Sequence, residues 1–552
     1  MESSSVPIQP GAADTVSASR GGGYQRRSSG LVRDFSQTDT WMYNVLAMNP
    51  VIVGALTFGL VLITYPHANL WLCFVIAGLF CCFEAVAYAL FAAAMPRSGG
   101  DYVMQSRVLG GGVASVFTFA GITLSQCFLP GIFGYLLSSI VLSPFFLLLG
   151  AQYHALWMVE VGEWLSTNWG IFACAMFVAF QGTLVNVRGL RLYARIQKIV
   201  FWPGLALLLF FMVQMLFSSH GTFVNNFNGF MSDNYGVHNA YQATVNAGGT
   251  ISGGSNLGDT ILASVIAAFL LIFPAFSVQQ AGEIKRAGSV RGNLWSMLGS
   301  EVFTFVTMAV LGALLITRVG SDFLFSSGTL YFEGAENNPL PVPPFLGFFF
   351  AIFGNAPIFT WLLLIMFLCW MVMLYPNGWL GGTRVMMAMS FDRVLPEWFG
   401  RVDRRLHVPL NALLTMTVVS IPLAYLYIFQ PTIQELTLSY FIILLTTFGV
   451  TMVAAILFPY TRRELYNASA AAQYKVLGLP LISVAAAVFL AFVVFCDVQA
   501  LRANELGVNN TRGLLFLAGL WGFALVVYWA SKLYRRSHGE STSDAYKELP
   551  IE

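Results

Sequence analysis

The sequence feature that most constrains the fold is a succession of long apolar runs. Each holds about 20 residues, the length that an α-helix needs to cross roughly 30 Å of hydrocarbon. Backbone groups in lipid must bond within their own segment, so each run predicts a transmembrane helix. The composition, 57% hydrophobic and 10% charged, is typical of an integral membrane protein. We predict twelve spans, at residues 42–65, 69–95, 112–141, 169–187, 196–218, 259–281, 293–317, 345–376, 409–428, 434–458, 476–498 and 513–533.

Lysine and arginine are concentrated on one side of these spans. When the twelve spans alternate, all but three of the 28 basic residues share one side, the exceptions being Arg318, Arg502 and Arg512. Positively charged loops mark the cytoplasmic side. We therefore predict a multi-pass protein of the cell membrane with both termini in the cytoplasm.

The spans divide the chain into six segments. The Ser/Gly-rich segment 1–40 predicts a disordered cytoplasmic tail. Segment 219–258 predicts an extracellular loop without Lys or Arg, either a mobile surface cover, which we favour, or an occluding lid. The remaining segments are 41–218 with spans 1–5, 259–458 with spans 6–10, 459–533 with spans 11–12, and a C-terminal cytoplasmic tail at 534–552.

The sixth apolar run contains a proline. Pro274 has no N–H to donate and its ring clashes with the carbonyl four residues earlier, so the helix is predicted to be interrupted there. Backbone that is freed at membrane depth is tolerated only where it is buried in protein or lines a cavity. A helix broken near the middle of the membrane is a recurring substrate site in secondary transporters.

Four short stretches look like motifs of the amino acid–polyamine–organocation family of permeases. Residues 95–102 (MPRSGGDY) resemble its Pro-x-x-Gly-Gly-x-Tyr loop, and residues 186–189 (NVRG) resemble its Asn-x-x-Gly. Residues 282–286 (GEIKR) resemble its Glu-Val-Lys-Asn-Pro segment. Residues 391–396 (FDRVLP), with 407–409 (HVP), resemble its Arg-Asp-Gly-x-Leu-Pro…Thr-Pro stretch. Turn-forming Gly and Pro explain each match alone, but not all four in family order.

The resemblance implies an all-α polytopic fold in which spans 1–5 and 6–10 form an inverted repeat, with helices 1 and 6 broken. Pro50 in span 1 is then the counterpart of Pro274, and paired interruptions indicate a substrate site. The family's Gly-x-Gly-Ile at the first break is replaced here by residues 48–54 (MNPVIVG), and its glycine after the sixth break is replaced around Ser277 and Val278. The candidate substrate-binding residues are Met48, Asn49, Pro50, Val51, Phe273, Pro274, Ala275, Phe276 and Ser277.

The two breaks suit the two charges of an amino acid. The half-helix that begins after Pro50 would direct N–H groups and a positive dipole end at a carboxylate. Asn49 could add a side-chain hydrogen bond. Carbonyls released at residues 273–275 would accept hydrogen bonds from an ammonium. Phe276 is a candidate aromatic gate over the substrate.

Two carboxylates lie within apolar spans, Glu84 in span 2 and Glu301 in span 7. An unpaired charge at this depth costs at least ~2.5 kcal/mol, so such an acid indicates a function. If the two face each other, burial and repulsion would keep a proton on one of them, as a proton-coupled carrier requires. Alternatively, each is neutral or hydrogen-bonded inside the protein and has a structural role.

Other coupling ions and other chemistries find little support. Many proton-coupled relatives carry a lysine in span 5, where this chain has Trp-Pro-Gly at 202–204, and residues 360–375 offer hydroxyls only at their ends, which disfavours sodium. The histidines and cysteines show no spacing for a metal site, and no Walker-type phosphate loop occurs. The net charge of +2 does not indicate nucleic acid. We expect neither enzyme activity nor a cofactor or metal.

The sequence therefore predicts a permease for amino acids or related organic amines, working by alternating access. Its expected partners are that small molecule, a proton as a candidate coupling ion, and membrane lipid, with no obligatory protein partner evident. One alternative keeps the fold but carries potassium or a polyamine. Another is a sensor that binds an amine without transporting it.

Overall fold

Helices form nearly all of the regular structure in the computed structural model, which describes residues 30–249, 254–332, 334, 338, 340, 342–434, 437–503, 508–540 and 546. The predicted tails, 1–40 and 534–552, lie largely outside these residues. The first twelve helices are α1 (Gln37–Met48), α2 (Ile52–Thr64), α3 (Leu70–Ala94), α4 (Gly100–Val108), α5 (Gly111–Thr118), α6 (Leu129–Tyr135), α7 (Ser143–Tyr153), α8 (Leu156–Ser166), α9 (Asn168–Val187), α10 (Leu190–Phe217), α11 (His220–Tyr235) and α12 (Ala240–Gly248).

The second half of the chain continues in the same way. Its helices are α13 (Leu257–Leu271), α14 (Val290–Arg318), α15 (Ser321–Phe332), α16 (Leu346–Gly354), α17 (Pro357–Met371), α18 (Leu374–Phe391), α19 (Leu410–Phe429), α20 (Pro431–Gln434), α21 (Thr437–Thr461), α22 (Arg463–Asn467), α23 (Leu481–Arg502) and α24 (Thr511–Ser537). Two short antiparallel strands, β1 (Lys475–Val476) and β2 (Leu479–Pro480), lie between α22 and α23.

Twelve helical segments among the described residues are long and apolar enough to cross a membrane, which confirms the predicted number of spans. Several of them combine two or more helices. Spans 1 to 12 are Gln37–Thr64, Leu70–Ala94, Gly111–Tyr153, Asn168–Val187, Leu190–Phe217, Leu257–Gln279, Val290–Arg318, Pro357–Phe391, Leu410–Phe429, Ser439–Thr461, Leu481–Arg502 and Thr511–Ser537. The relation of spans 1–5 to spans 6–10 as inverted repeats stays a prediction.

Span 8 lies further along the chain than predicted. Asn355 turns the chain after α16 with a φ of 46°, and span 8 begins at Pro357 and continues to Phe391. The prediction of 345–376 was wrong because it stopped before the charge of Arg384. That charge is buried against Glu283, so it is compensated inside the protein and does not meet lipid.

Span 3 departs from regular α-helical geometry along much of its length. It extends to Tyr153, beyond the predicted end at 141, and contains π-helical stretches at Phe119–Leu124 and Leu136–Leu142. A 3₁₀ turn, Ser125–Phe128, lies between them. Such irregular turns change the direction of the side chains that follow and are frequent at functional sites.

The segment between spans 5 and 6 is folded. Its helices α11 and α12 cover residues 220–248, and Phe223 and Phe227 of α11 are fully buried. Both rings pack edge-on against Phe323 of α15, at 5.6 and 5.0 Å between ring centroids. Over α11 and α12 the segment is therefore helical and packed against the bundle through aromatic side chains, and its role as a surface cover or a lid stays a prediction.

Both ends of the described chain lie on one side of the bundle. Phe35 is fully buried and pairs through its backbone with Ile284, which follows span 6. Glu540, after span 12, accepts a hydrogen bond from Arg393, which follows span 8, at 3.3 Å. We call this side the terminal face. Residues 30–40 of the predicted tail are therefore part of the folded protein.

Candidate functional site

Span 1 is divided between α1 and α2. After Met48 the chain turns at Asn49, whose backbone is left-handed with a φ of 51°, and α2 begins at Ile52. Asparagine adopts this conformation more readily than most residues. Its side-chain oxygen accepts a hydrogen bond from the Ile52 N–H, and its nitrogen donates to the carbonyl of Trp370 in span 8, both at 2.9 Å. Asn49 thus caps α2 and fastens it to span 8.

The N–H groups that begin α2 are used within the chain. In addition to Ile52, the N–H groups of Val53 and Gly54 donate to the Asn49 carbonyl at 3.1 and 3.2 Å. The expectation of free N–H groups for a carboxylate is therefore wrong for these three residues in this conformation. The physical reason is that Asn49 presents both a side-chain and a backbone acceptor.

Span 6 loses its α-helical form around Pro274. α13 ends at Leu271, and the chain continues through two 3₁₀ turns, Phe276–Gln279 and Ala281–Glu283. Proline removes one helical hydrogen bond and obstructs another. The second half of the predicted helix is therefore a succession of tight turns.

The backbone at this break is mostly paired as well. The carbonyls of Phe273 and Ala275 each accept a hydrogen bond from the N–H three residues further on, at 3.3 and 2.9 Å. The N–H of Ser277 donates to the side-chain oxygen of Asn44 in span 1, at 3.1 Å. The two broken spans are thus joined to each other directly.

A cavity lies beside the two breaks. The cavity has a volume of about 70 Å³, which is room for several water molecules. Phe273 and Phe276 of the predicted site belong to its wall, and Ala47 and Val53 flank the first break. Spans 1, 3, 6, 8 and 10 supply the wall, which consists of Ala47, Val53, Leu56, Gln126, Leu129, Ile132, Phe133, Leu136, Phe269, Phe273, Phe276, Leu374, Asn377, Gly378 and Tyr440.

The other predicted binding residues are buried but are not part of this wall. Their role in the structure is to shape the breaks. They are Met48, Asn49, Pro50, Val51, Pro274, Ala275 and Ser277.

Three polar side chains interrupt the apolar wall. The Asn377 amide nitrogen donates to the Tyr43 carbonyl, and the Tyr43 hydroxyl donates to the Asn377 carbonyl, both at 2.8 Å. The Gln126 amide and the Tyr440 hydroxyl are close enough to interact. The side-chain oxygens of Gln126 and Asn377 remain buried with no hydrogen-bond partner among the described residues. Both oxygens expose less than 1 Å² of surface, so they are enclosed by the protein although their residues belong to the cavity wall.

Phe276, the predicted aromatic gate, stacks on Tyr43. Their ring centroids are 6.5 Å apart and the planes differ by 11°. The Tyr43 hydroxyl also accepts a hydrogen bond from Gln280 at 3.1 Å. Since α1 runs from the terminal face to Met48, this pair lies between the first break and that face.

The family-like stretches of the sequence meet at the terminal face. A side chain at Gly100 would come within 2.7 Å of the Val278 backbone. Gly189 has a φ of 85°, and a Cβ there would lie 2.8 Å from the Leu406 carbonyl. These glycines permit contacts between segments that are distant in sequence.

Two buried ion pairs hold these segments together. Arg107 forms a two-pronged ion pair with Asp392, in which Nη2 of Arg107 donates to Oδ1 of Asp392 at 2.9 Å. Arg384 of span 8 forms a second two-pronged ion pair with Glu283, in which two guanidinium nitrogens donate to the two carboxylate oxygens at 2.8 and 3.0 Å. All four side chains are at most 2% exposed. Such bidentate geometry offsets much of the cost of removing the charges from water.

Asp101 is a second buried junction. It is fully buried and accepts hydrogen bonds from Tyr88 in span 2 at 2.5 Å, from Thr451 in span 10 and from Gln279 after the sixth break. Burial raises the pKa of Asp101 above its usual value, while these three donors act in the opposite direction. One carboxyl therefore joins three separate parts of the bundle.

Glu84 and Glu301 lie where α3 packs along α14. Both are fully buried, and their four carboxyl oxygens have no hydrogen-bond partner among the described residues. The two groups are close enough for their charges to interact. Neither belongs to the cavity wall, so a role in coupling would operate at a distance from the cavity.

The structure adds residues that the sequence did not single out. Gln126, Asn377 and Tyr440 line the cavity, and Asp101 had been considered only as part of a motif. An uncharged amide within or beside an apolar run was the available signal for Gln126 and Asn377. That signal is weak, because such amides also hydrogen-bond structurally between membrane helices.

A twelve-span helical bundle of this composition, with a cavity beside interrupted helices, defines the class of multi-pass membrane transporters. The comparison with protein families then identifies the group: the chain belongs to the amino acid permease family, whose profile matches residues 39–518. This agrees with the resemblance seen in the sequence motifs. A comparison with curated proteins gave no match.

Proposed function

We propose that this permease is a secondary transporter that carries amino acids or related organic amines across the cell membrane by alternating access. The observation that carries the proposal is the cavity beside the two breaks, with buried ion pairs between it and the terminal face. In this arrangement the ion pairs lie further toward the terminal face than the cavity wall, since Arg384 follows Asn377 and Gly378 along α18. Release to that side requires the ion pairs and the Tyr43–Phe276 pair to move.

Spans 1, 2, 6 and 7 are proposed to move as one unit. Asn44 of span 1 supports this, because its nitrogen donates to the Ser296 carbonyl in span 7 at 3.1 Å while its oxygen holds Ser277 of span 6. The Asn49–Trp370 and Glu283–Arg384 contacts join this unit to span 8. They are the contacts that a rocking motion would rearrange.

The terminal face is proposed to be cytoplasmic. Arg318 and Arg502 end α14 and α23, and Arg512 lies at the start of α24, so all three are on the opposite side of the bundle. The remaining basic residues then follow the positive-inside rule.

Proton coupling through Glu84 and Glu301 is a further part of the proposal. Two unpartnered carboxyls at one interface cannot both be charged without a large penalty, so binding and release of a proton would alter how α3 and α14 pack. Exchange of one substrate for another without a coupling ion is the alternative.

The wall of the cavity argues against a polyamine as the cargo. It contains no carboxylate among its described residues, so the several positive charges of a polyamine would lack compensation there. Potassium, which carbonyl and amide oxygens can hold, is distinguished by experiment. A sensor that binds an amine without transporting it is distinguished from a permease by the uptake experiment described next.

Uptake of a mixture of radiolabelled amino acids into proteoliposomes tests the proposal. We expect accumulation that requires the protein, with a pH gradient imposed and then collapsed by an uncoupler to reveal coupling. Binding without uptake would identify a sensor. Uptake of potassium or spermidine but of no amino acid would overturn the proposed cargo.

A further inference from the structure

We infer that Asp101 is the group that exchanges the coupled proton with water at the terminal face, and that Gln279, after the break in span 6, responds to the charge of this carboxyl. The inference rests on the proton coupling proposed above. It adds a third carboxyl to Glu84 and Glu301 and connects all three to a broken span.

The partners of Asp101 can serve either protonation state of the carboxyl. Tyr88, Thr451 and Gln279 donate to it, and each offers a hydroxyl or an amide, which can also accept. None of its contacts among the described residues is with an arginine or a lysine. The carboxylates of the two buried ion pairs differ, because a guanidinium can only donate and therefore keeps its partner charged.

Two of these partners have a second arrangement within reach. The Thr451 hydroxyl lies 3.3 Å from the Thr447 carbonyl, so it can turn its proton to that oxygen and accept one from Asp101. The Gln279 side-chain oxygen is buried and has no hydrogen-bond partner among the described residues. A flip of this amide would present that oxygen to a protonated carboxyl. The site therefore accommodates the gain and loss of a proton without movement of the backbone.

Glu84 connects Asp101 to the coupling pair. Glu84 and Tyr88 are four residues apart in α3 and thus share one face of the helix. The carboxyl of Glu84 is close enough to those of Asp101 and Glu301 for their charges to interact. The three carboxyls therefore follow spans 2 and 7 toward the terminal face.

The charged groups of the other elements around α4 are engaged elsewhere. Arg107 of α4 and Arg384 of α18 belong to the two buried ion pairs, and Arg462, directly after α21, donates to the Arg107 carbonyl. α5 and the 3₁₀ turn after the sixth break carry no ionisable side chain. Among the described residues, the carboxyl at position 101 thus interacts with two ionisable groups, Glu84 and Tyr88.

The charge of Asp101 acts on the sixth break through a short connection. Its carboxyl accepts a hydrogen bond from the Gln279 side chain, and the Gln279 carbonyl accepts one from the Gly99 N–H at 2.8 Å. Ser98 pairs with Gln280 through the backbone. Burial raises the pKa of Asp101, so this buried arrangement favours the protonated form. When the terminal face opens, the proton passes from the carboxyl to water, and the carboxylate that remains favours the open arrangement.

Proteoliposomes that enclose a pH-sensitive dye measure the protons that enter with radiolabelled amino acids. We expect Asp101→Asn to lower proton entry to background while exchange of internal for external amino acid continues. Asp101→Glu restores a titratable group and should recover part of the proton entry. An unchanged ratio of protons to amino acids in Asp101→Asn would overturn the inference, and so would a parallel loss of proton entry and exchange, which indicates a structural role.

Tyr88→Phe provides a second test that leaves the carboxyl in place. The variant removes one donor to the carboxylate, so the carboxyl should hold its proton more firmly. We expect the pH dependence of the proton-to-amino-acid ratio to shift to higher pH. A pH dependence identical to that of the wild type would contradict the assignment of Asp101.

Asp39→Asn is the matched control. Asp39 is also a buried carboxyl near the terminal face, but it forms an ion pair at 2.8 Å with Lys198, which keeps it charged. We expect Asp39→Asn to keep the wild-type ratio of protons to amino acids. Loss of proton entry to the same extent as in Asp101→Asn would show that the effect is not specific to Asp101 and would refute the inference.

Infrared spectroscopy of the purified protein distinguishes failure of the inference from failure of the proposed function. The carbonyl stretch of protonated carboxyls should weaken as pH rises above about 4, and this change should be smaller in Asp101→Asn. Such a difference in a protein that takes up no amino acid would support the proton site and refute transport. Proton-coupled uptake by the wild type, with the same infrared change in both proteins, would support transport and refute the site.

Gln279→Leu tests the connection to span 6. This variant keeps the Asp101 carboxyl but removes the amide that contacts it. We expect the infrared change to remain while the ratio of protons to amino acids falls. A wild-type ratio in Gln279→Leu would overturn the role of Gln279.

Discussion

Arg107 and Asp392 form a buried two-pronged ion pair between the segment after span 2 and the segment after span 8. Removing one partner leaves the other charge buried and unpaired. We expect Arg107→Gln or Asp392→Asn to destabilise the protein by about 3–5 kcal/mol, and the double variant to lose less than the sum of the two. Thermal unfolding of the purified protein measures both effects.

The exposed pair of Arg191 and Asp34 is the control for this prediction. Arg191 is 79% exposed, so Arg191→Gln should leave the melting temperature unchanged. Equal effects of Arg191→Gln and Arg107→Gln would contradict the stabilising role of the buried pair.

Asn49 has separate backbone and side-chain roles. Asn49→Gly keeps the left-handed backbone but loses the cap of α2 and the bond to Trp370, and Asn49→Ala loses these and is strained as well. We expect Asn49→Gly to cost about 0.5–1.5 kcal/mol, mainly for the lost bond to Trp370, and Asn49→Ala to cost more. Melting temperatures establish the order, and the reverse order would contradict the argument from φ.

Gly378 makes room for the Gln126 side chain. Gly378→Ala should reduce uptake about tenfold while the protein still folds, because the new methyl would lie 2.7 Å from the Gln126 oxygen and 2.8 Å from Leu129. Gly519→Ala in α24 is the control, since no atom lies within 4 Å of a Cβ built there. Uptake that falls equally in both variants would point to a general helix effect.

Glu84→Gln and Glu301→Gln test the coupling proposal. Each variant removes a carboxyl that has no hydrogen-bond partner among the described residues. We expect gradient-driven accumulation to be lost, while exchange of internal for external substrate continues. Glu160→Gln, in α8, is the control. Accumulation that survives in both buried variants would assign the two acids a structural role.

Asp101 should make stability depend on pH. Folding raises the pKa of Asp101. Its contribution to folding stability is therefore fully present below the unfolded-state pKa of about 3.9, and it is lost as pH rises through the higher folded-state pKa. The stability of the wild type relative to Asp101→Asn should therefore fall as pH rises above about 4. A series of melting temperatures measures this difference, and a constant difference would contradict it.

Asp403 provides a comparison of opposite sign. Backbone N–H groups of Leu406 and Arg405 lower the pKa of this exposed carboxyl, so its contribution is present above the unfolded pKa and is lost as pH falls. Any pH-dependent difference for Asp403→Asn should thus run in the direction opposite to that for Asp101→Asn.

Much of the architecture could be predicted because hydrocarbon imposes simple rules. The number of spans and the sidedness of the basic residues follow from apolar length and charge. Span 8 was misplaced for the same reason, since hydropathy treats Arg384 as a charge in lipid and takes no account of Glu283. The helices between spans 5 and 6 were missed because their stability comes from packing Phe223 and Phe227 against α15.

The sequence by itself determined that this chain is a twelve-span membrane protein with prolines in spans 1 and 6, because apolar length, charge placement and proline act locally along the chain. Its short motifs indicated the permease family. The tertiary structure alone decided which groups are free to bind a ligand. Asn49, which the sequence offered to a substrate, is used by Ile52 and Trp370, whereas Gln126 and Asn377, which the sequence did not single out, belong to the cavity wall. Hydrogen-bond pairing depends on neighbours that folding brings from distant spans, and no local pattern records it.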